Sequence, residues 1–161
     1  AFASSLKHFK GELAGHFIKL EAWQIFIVAN VFGWKRKATG KRRYTYVDVF
    51  VPRKNGKTTF AAIVALYCQL LDGEAGAEVY AAAVDAPQAK ICFEASKELL
   101  RGSMFERLVR MYTSSIVYAK KASSYKALSK DSKNKDGLNP HCAVCDAVAT
   151  PLPLFATSAS V

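Results

Sequence analysis

Gly56, Lys57 and Thr58 stand in a row between an apolar run and a longer apolar stretch, within VFVPRKNGKTTFAA (49–62). A phosphate cradle needs a tight loop whose backbone N–H groups converge and a helix whose N-terminus faces the anion. It also needs a lysine that reaches the outer phosphates and an adjacent hydroxyl that holds magnesium. The glycine that usually opens such a loop, five residues before Gly56, is Val51 here. On spacing alone two readings stand side by side: a phosphate loop, and a basic turn that merely caps a helix. Asp146 ends a later apolar run, where a nucleotide enzyme places a second magnesium-binding carboxylate. Gln24, beside Trp23, offers an amide that can pair bidentately with the adenine edge. An ordinary exposed helix glutamine is the competing reading.

A second cluster of reactive types is HCAVC (141–145), a C-x-x-C with a neighbouring histidine. Such a pattern serves zinc or redox chemistry. No second Cys/His pair follows at zinc-site spacing, so the segment is expected to be a buried strand without a metal. Cys68 and Cys92 sit in apolar runs and read as small buried hydrophobes. This cysteine usage fits a reducing compartment better than a disulfide scaffold.

The 161 residues are enough for one domain with a real core, and 51% hydrophobic content places the chain among globular proteins. No apolar run approaches the ~20 residues that span a bilayer, and the first residues lack the apolar core of a secretory signal. The net charge of +10 is unevenly placed: residues 1–60 hold twelve Lys/Arg against three Asp/Glu. A localised positive field suits a polyanion, nucleotide or nucleic acid, although a solvated basic loop has the same composition.

The elements that must position these residues follow from periodicity. Residues 19–34 place Trp23, Phe26, Ile27 and Phe32 at helical spacing, with Gly33 as a stop. Residues 35–43 (KRKATGKRR) form a basic loop, and 44–51 a β-branched and aromatic strand. Residues 58–71, apolar almost all round, make a buried helix, followed by a short strand at 77–84. Residues 86–102 make an amphipathic helix with Pro87 in its first turn and Gly102 after its end. A hairpin is expected over 114–131, a loop over 132–140, a buried strand over 141–147, and a last strand and turn over 153–160. Strands alternating with helices argue for an α/β sheet.

Four blocks in order resemble the ATPase domain of tailed-phage terminase large subunits, the motors that package DNA into procapsids. They are HFKGELAGHFIKLEAWQIFIVANVFGW, VPRKNGKTTFAAIVALYCQLLDGEAGAEVYAAAVDAPQAK, YKALSKDSKNKDGLNPHCAVCD and LFATSAS. The resemblance implies an α/β phosphate-loop ATPase sheet, mostly parallel, with helices on both faces. In that family the early loop position holds Arg rather than Gly, which accommodates Val51. Carried over by position, Arg53, Lys54, Asn55, Gly56, Lys57 and Thr58 form the ATP-binding loop. Lys57 would hold the β- and γ-phosphates, Thr58 and Asp146 the Mg2+, and Gln24 the adenine. Arg53 would stabilise transition-state charge and, with Asp146, act in catalysis. Thr157 and Ser158 are the polar candidates of a motif coupling hydrolysis to DNA movement. Residues 1–43 become an adenine-motif helix and basic loop, and residues 44–161 a partial ATPase core. The implied partners are double-stranded DNA, the portal, the small terminase subunit and further copies in a ring, in the host cytoplasm and transiently at the procapsid portal.

The match departs from the family after the buried strand. A glutamate that activates the attacking water is expected next to Asp146, and Ala147 stands there. The segment VATPLPLF (148–155) replaces an acidic and histidine-containing stretch, and the coupling-like motif follows too soon. Asp146 is the last acidic residue, so no acidic cluster for a metal-dependent nuclease follows. The expectation is a defective remnant of a terminase, truncated or internally deleted, with a frameshift as another route. A non-hydrolysing nucleotide- or nucleic-acid-binding module of the same fold is the alternative.

Overall fold

A computed structural model describes residues 1–52, 54–83, 86–128, 138–145 and 155–157. Three helices and seven strands follow in the order α1 (Ala22–Gly33), β1 (Tyr46–Val47), α2 (Lys57–Leu70), β2 (Glu78–Ala82), α3 (Ala86–Leu100), β3 (Arg110–Met111), β4 (Ser115–Tyr118), β5 (Ser123–Leu128), β6 (Pro140–Cys145) and β7 (Phe155–Thr157). Among the described residues the strands form one sheet, in the order β1-β7-β6-β2-β5-β4-β3. Pairing fixes their directions: β1, β6, β2, β5 and β3 run one way, and β7 and β4 run against them. The expected α/β, mostly parallel sheet is present. Of the helices expected on both faces, the described α2 and α3 pack on each other and on the same strands, β2 and β5, and so share one face.

The core lies under α2. From Phe60 to Leu66 every residue of this helix is buried, which explains an apolar composition with no polar stripe. Its inner side meets Val79 and Ala81 of β2, Tyr125 of β5 and Cys142 and Val144 of β6, alternate residues along each strand. Its outer side is covered by the N-terminal segment: Phe2 and Phe32 pack on Tyr67, and Trp23 on Phe60. Leu6, Ile18 and Val31 join the same cluster. Gly102, with φ at +69°, ends α3 in the left-handed conformation expected of a helix stop.

Several expectations shift in detail. In α1 the inward stripe is Trp23, Gln24, Ile27, Val28, Val31 and Phe32, the i, i+3, i+4 set, so Phe26 falls on the opposite side and is 69% exposed. The strand expected over 44–51 narrows to β1, whose neighbour among the described residues is the three-residue β7. The hairpin over 114–131 is β4 and β5, turned through left-handed Ala122. Two residues not expected to pair, Arg110 and Met111, extend it as β3.

The basic loop 35–43 is a tight hairpin rather than an open loop. Arg36 N–H donates to the Lys41 carbonyl at 2.8 Å and Arg43 N–H to the Trp34 carbonyl at 3.0 Å. Arg42 leaves the basic surface: its guanidinium lies over Phe32 and bonds Asp72, whose carboxylate also meets His141 Nε2 at 2.6 Å. Burial alone would push the Asp72 carboxyl up, but the His141 and Arg42 hydrogen bonds outweigh it and hold it below the ordinary carboxylate value. The hairpin is thereby pinned to the C-terminal end of α2 and the start of β6.

Candidate nucleotide site

The chain leaves β1 at Val47, and residues 54–56 lead into α2 at Lys57. Lys54 and Gly56 both have left-handed backbone, at φ 68° and 69°, with Asn55 at negative φ between them. Alternating hand of this kind turns successive N–H groups toward one concavity, the geometry of an anion nest. Gly56 is the residue before the helix, and its carbonyl accepts the first helical bond from Phe60 N–H at 2.9 Å. Asn55 Nδ2 closes the turn by donating to the Pro52 carbonyl at 3.1 Å.

Lys57 folds back across this loop, its Nζ donating to the Val51 carbonyl at 3.0 Å. The ammonium therefore sits at the loop mouth beside the N-terminal end of α2, where the helix dipole is positive. A second positive centre at that point suits an anion. Thr58, half-buried, occupies the same first turn.

Gln24 comes to this loop from a distant part of the sequence. It is 8% exposed, which removes the reading of an ordinary exposed helix glutamine. Its Oε1 accepts the Glu21 N–H at 2.9 Å, fixing the amide at the start of α1. A cleft of about 580 Å³ brings it together with Lys54, Asn55, Gly56, Trp23 and Phe60. That volume is in the range of sites for drug-sized ligands. One apolar-walled opening thus joins a buried amide to the phosphate-type loop.

The family model for the terminase large subunit ATPase domain matches residues 22–151, most of the chain. The chain belongs to that family. The crystal structure of the HK97 bacteriophage large terminase is similar in fold, with a TM-score of 0.73 at 22% sequence identity. The match covers 89% of this chain and 29% of that one, so the chain spans under a third of the length of that terminase. Comparison with curated protein sequences finds no match.

Not all of the site residues expected from the sequence of this terminase ATPase domain are placed. The cleft brings together Gln24, Lys54, Asn55 and Gly56; Lys57 and Thr58 follow directly in the first turn of α2 without lining it, while Arg53, Asp146 and Ser158 lie outside the described residues. β6 runs in the direction of β1, so its carboxyl end, after which Asp146 follows, is at the sheet edge from which the loop departs. Ligands of open α/β sheets bind at that edge. Thr157 is the last residue of β7, between β1 and β6. Sequence reasoning missed Phe9 and Phe60 as cleft walls and the Val51 carbonyl as the partner of Lys57. No local pattern marks a carbonyl as an acceptor. In HCAVC, strand alternation separates buried Cys142 from Cys145, so the two cysteines do not form a shared chelate.

Proposed function

We propose that this terminase ATPase domain binds ATP with Mg2+ in the cleft between α1 and the loop before α2. The observation that supports this most is the continuity of that cleft from buried Gln24 to the loop of left-handed Lys54 and Gly56, with Lys57 folded over its mouth. Gln24 binds the adenine edge. Lys54, Asn55 and Gly56 present backbone N–H groups to the phosphates, Lys57 neutralises the β- and γ-oxygens, and Arg53 meets charge that develops on transfer. Thr58 and Asp146 hold the Mg2+, which supplies neutralisation of the phosphate oxygens. The partners are double-stranded DNA and, as part of a packaging assembly in the host cytoplasm, the portal, the small subunit and a ring of copies. Among the described residues no helix is long and apolar enough to cross a membrane.

Ala147 favours a second reading at the catalytic step: binding without efficient hydrolysis, the behaviour of a defective packaging motor. A carboxylate base is missing from the position where the family places it, whereas the binding loop is intact. The deciding experiment is a thermal melt with and without ATP and Mg2+. Wild type should melt higher by mass action, about 2.7 kcal/mol of stabilisation at a hundred times the Kd, and Lys57→Ala should show no shift. Equal responses from the two proteins would reduce the loop to a basic turn.

A further inference from the structure

At the far end of α2, about 20 Å from Lys57 by the helical rise, a second group of reactive side chains converges. Cys68 Sγ, an Asp72 carboxylate oxygen and a His141 ring nitrogen all lie within 4.8 Å of one another. We propose that Cys68, Asp72 and His141, with Cys142 as fourth donor, form a site for a divalent cation of the zinc class.

Local structure brings the four together. Cys68 and Asp72 are four positions apart, and the Leu71 and Asp72 N–H groups both donate to the Tyr67 carbonyl, at 2.9 and 3.1 Å, so the helix ends in a closed turn that keeps both side chains on one side. His141 and Cys142 are adjacent on β6 and would ordinarily point to opposite faces. The β2–β6 register shifts at this point: Glu78 pairs with Pro140 and Val79 with Cys142, leaving His141 as the extra residue. A bulge of this kind re-aims a side chain. The Cys142 thiol lies close enough to Cys68 to interact with it.

The donor set is chemically matched to the ion. Thiolate, imidazole and carboxylate are the zinc ligands, at roughly 2.0–2.3 Å in tetrahedral array. Donors on such an ion lie roughly 3.3–3.8 Å apart. The 2.6 Å Asp72–His141 pair must therefore open, the wider pairs must close by about 1 Å, and Cys142, outside the 4.8 Å cluster, must swing in. Two thiol protons leave to solvent on binding, and the imidazole proton moves from Nε2 to Nδ1 as Nε2 takes the ion. Two thiolates, one carboxylate and the dication sum to one negative charge, which the Arg42 guanidinium on Asp72 balances. Arg42 Nη1 is buried with no hydrogen-bond partner among the described residues, and both cysteines lie within its electrostatic reach. Metal-bound thiolates would give that donor an acceptor. A pocket of about 70 Å³ opens beside His141 and is bordered by Glu74 and Glu78, an acidic approach for a cation.

The test uses the full chain, stripped of metal with a chelator, kept reduced and titrated with Co2+. One equivalent should produce the visible bands of a tetrahedral site and a near-ultraviolet thiolate-to-cobalt band, both erased by Zn2+. Cys68→Ser and His141→Gln should each weaken Co2+ binding at least tenfold, while Cys145→Ser should leave it unchanged. Circular dichroism checks folding, and His141→Gln, at the rim, gives the same readout if Cys68→Ser does not fold. Absent bands in wild type would leave Arg42, Asp72 and His141 as an ion network only. Bands that survive both substitutions, or vanish in Cys145→Ser, would likewise overturn the proposal. None of these outcomes depends on nucleotide binding.

Discussion

The Trp23 and Phe60 rings meet edge to face with centroids 5.4 Å apart, joining the start of α1 to the first turn of α2. Gln24, the next residue along α1, is thereby held at a fixed offset from the loop that ends at Gly56. Gln24→Ala should cost ATP binding more than GTP binding, since a bidentate amide–base pair discriminates by about 1–3 kcal/mol. Trp23→Ala should weaken both nucleotides together by loosening the offset. Parallel ATP and GTP titrations of the three proteins separate these outcomes, and an unchanged ATP-to-GTP ratio in Gln24→Ala would remove the adenine role.

Gly56 tests the backbone of the loop. A Cβ built there meets nothing within 4 Å, so the cost of Gly56→Ala comes from the left-handed φ of 69° and not from crowding. That conformation costs a residue with a side chain about 1–2 kcal/mol. Denaturant melts should show a loss of this size, and ATP affinity should fall as the loop relaxes. Full stability in Gly56→Ala would mean that the left-handed turn is not required.

The basic hairpin divides into two functional groups. Lys35, Arg36, Lys37 and Arg43 are exposed, and Arg43 lies over Trp34 and Tyr44. Duplex DNA should bind weakly and without sequence preference. At each of these four positions that pairs with a phosphate, a Gln substitution should lower the salt slope by about 0.9. Arg42→Ala should behave differently, destabilising the fold on the order of 3 kcal/mol because it leaves Asp72 without its buried cation. Salt-dependent DNA titrations and denaturant melts read the two effects separately. An Arg42→Ala protein of wild-type stability would contradict the inward anchoring.

Hydrolysis should be close to background. General-base assistance contributes roughly 10²–10⁴-fold, and Ala147 cannot accept a proton. Ala147→Glu alone should restore little if, as proposed, VATPLPLF (148–155) stands where the residues that orient such a carboxylate are expected. Phosphate release by wild type, Ala147→Glu and Lys57→Ala measures this. Robust wild-type turnover that disappears in Lys57→Ala would place a base elsewhere.

Legibility in the sequence follows the range of each interaction. Gly56-Lys57-Thr58 between a strand and a helix is a local pattern, and α2, α3 and the β4–β5 hairpin follow from periodicity within ten to twenty residues. Arg42 reads as one more surface cation because its partner Asp72 is thirty positions away. Phe26 reads as a core residue when apolarity is weighed without angular position. HCAVC reads as a strand without a metal for want of a second pair. Packing of α2 on β6 brings Cys68 and Asp72 to His141, a proximity across about seventy positions that neither segment marks in its own neighbourhood.

The pairing of β1 with β7 has a consequence for the order in which the molecule can be built during synthesis. Tyr46 finds its partner in Ala156, and β7 also lies between β1 and β6, so among the described residues the strand leading into the loop before α2 has no docking edge until nearly all of them have left the ribosome. Pairings so distant in sequence form slowly. The β2–β5 and β4–β5 pairs are complete by Leu128, and the buried face of α2 is complete once β6 ends at Cys145. A nascent chain halted before residue 155 would hold a packed centre and an unclaimed edge at β6, a template for pairing with another chain. The cleft proposed for the nucleotide would then be among the last parts of the described residues to take shape, and ATP bound there would favour the finished form over that unfinished one.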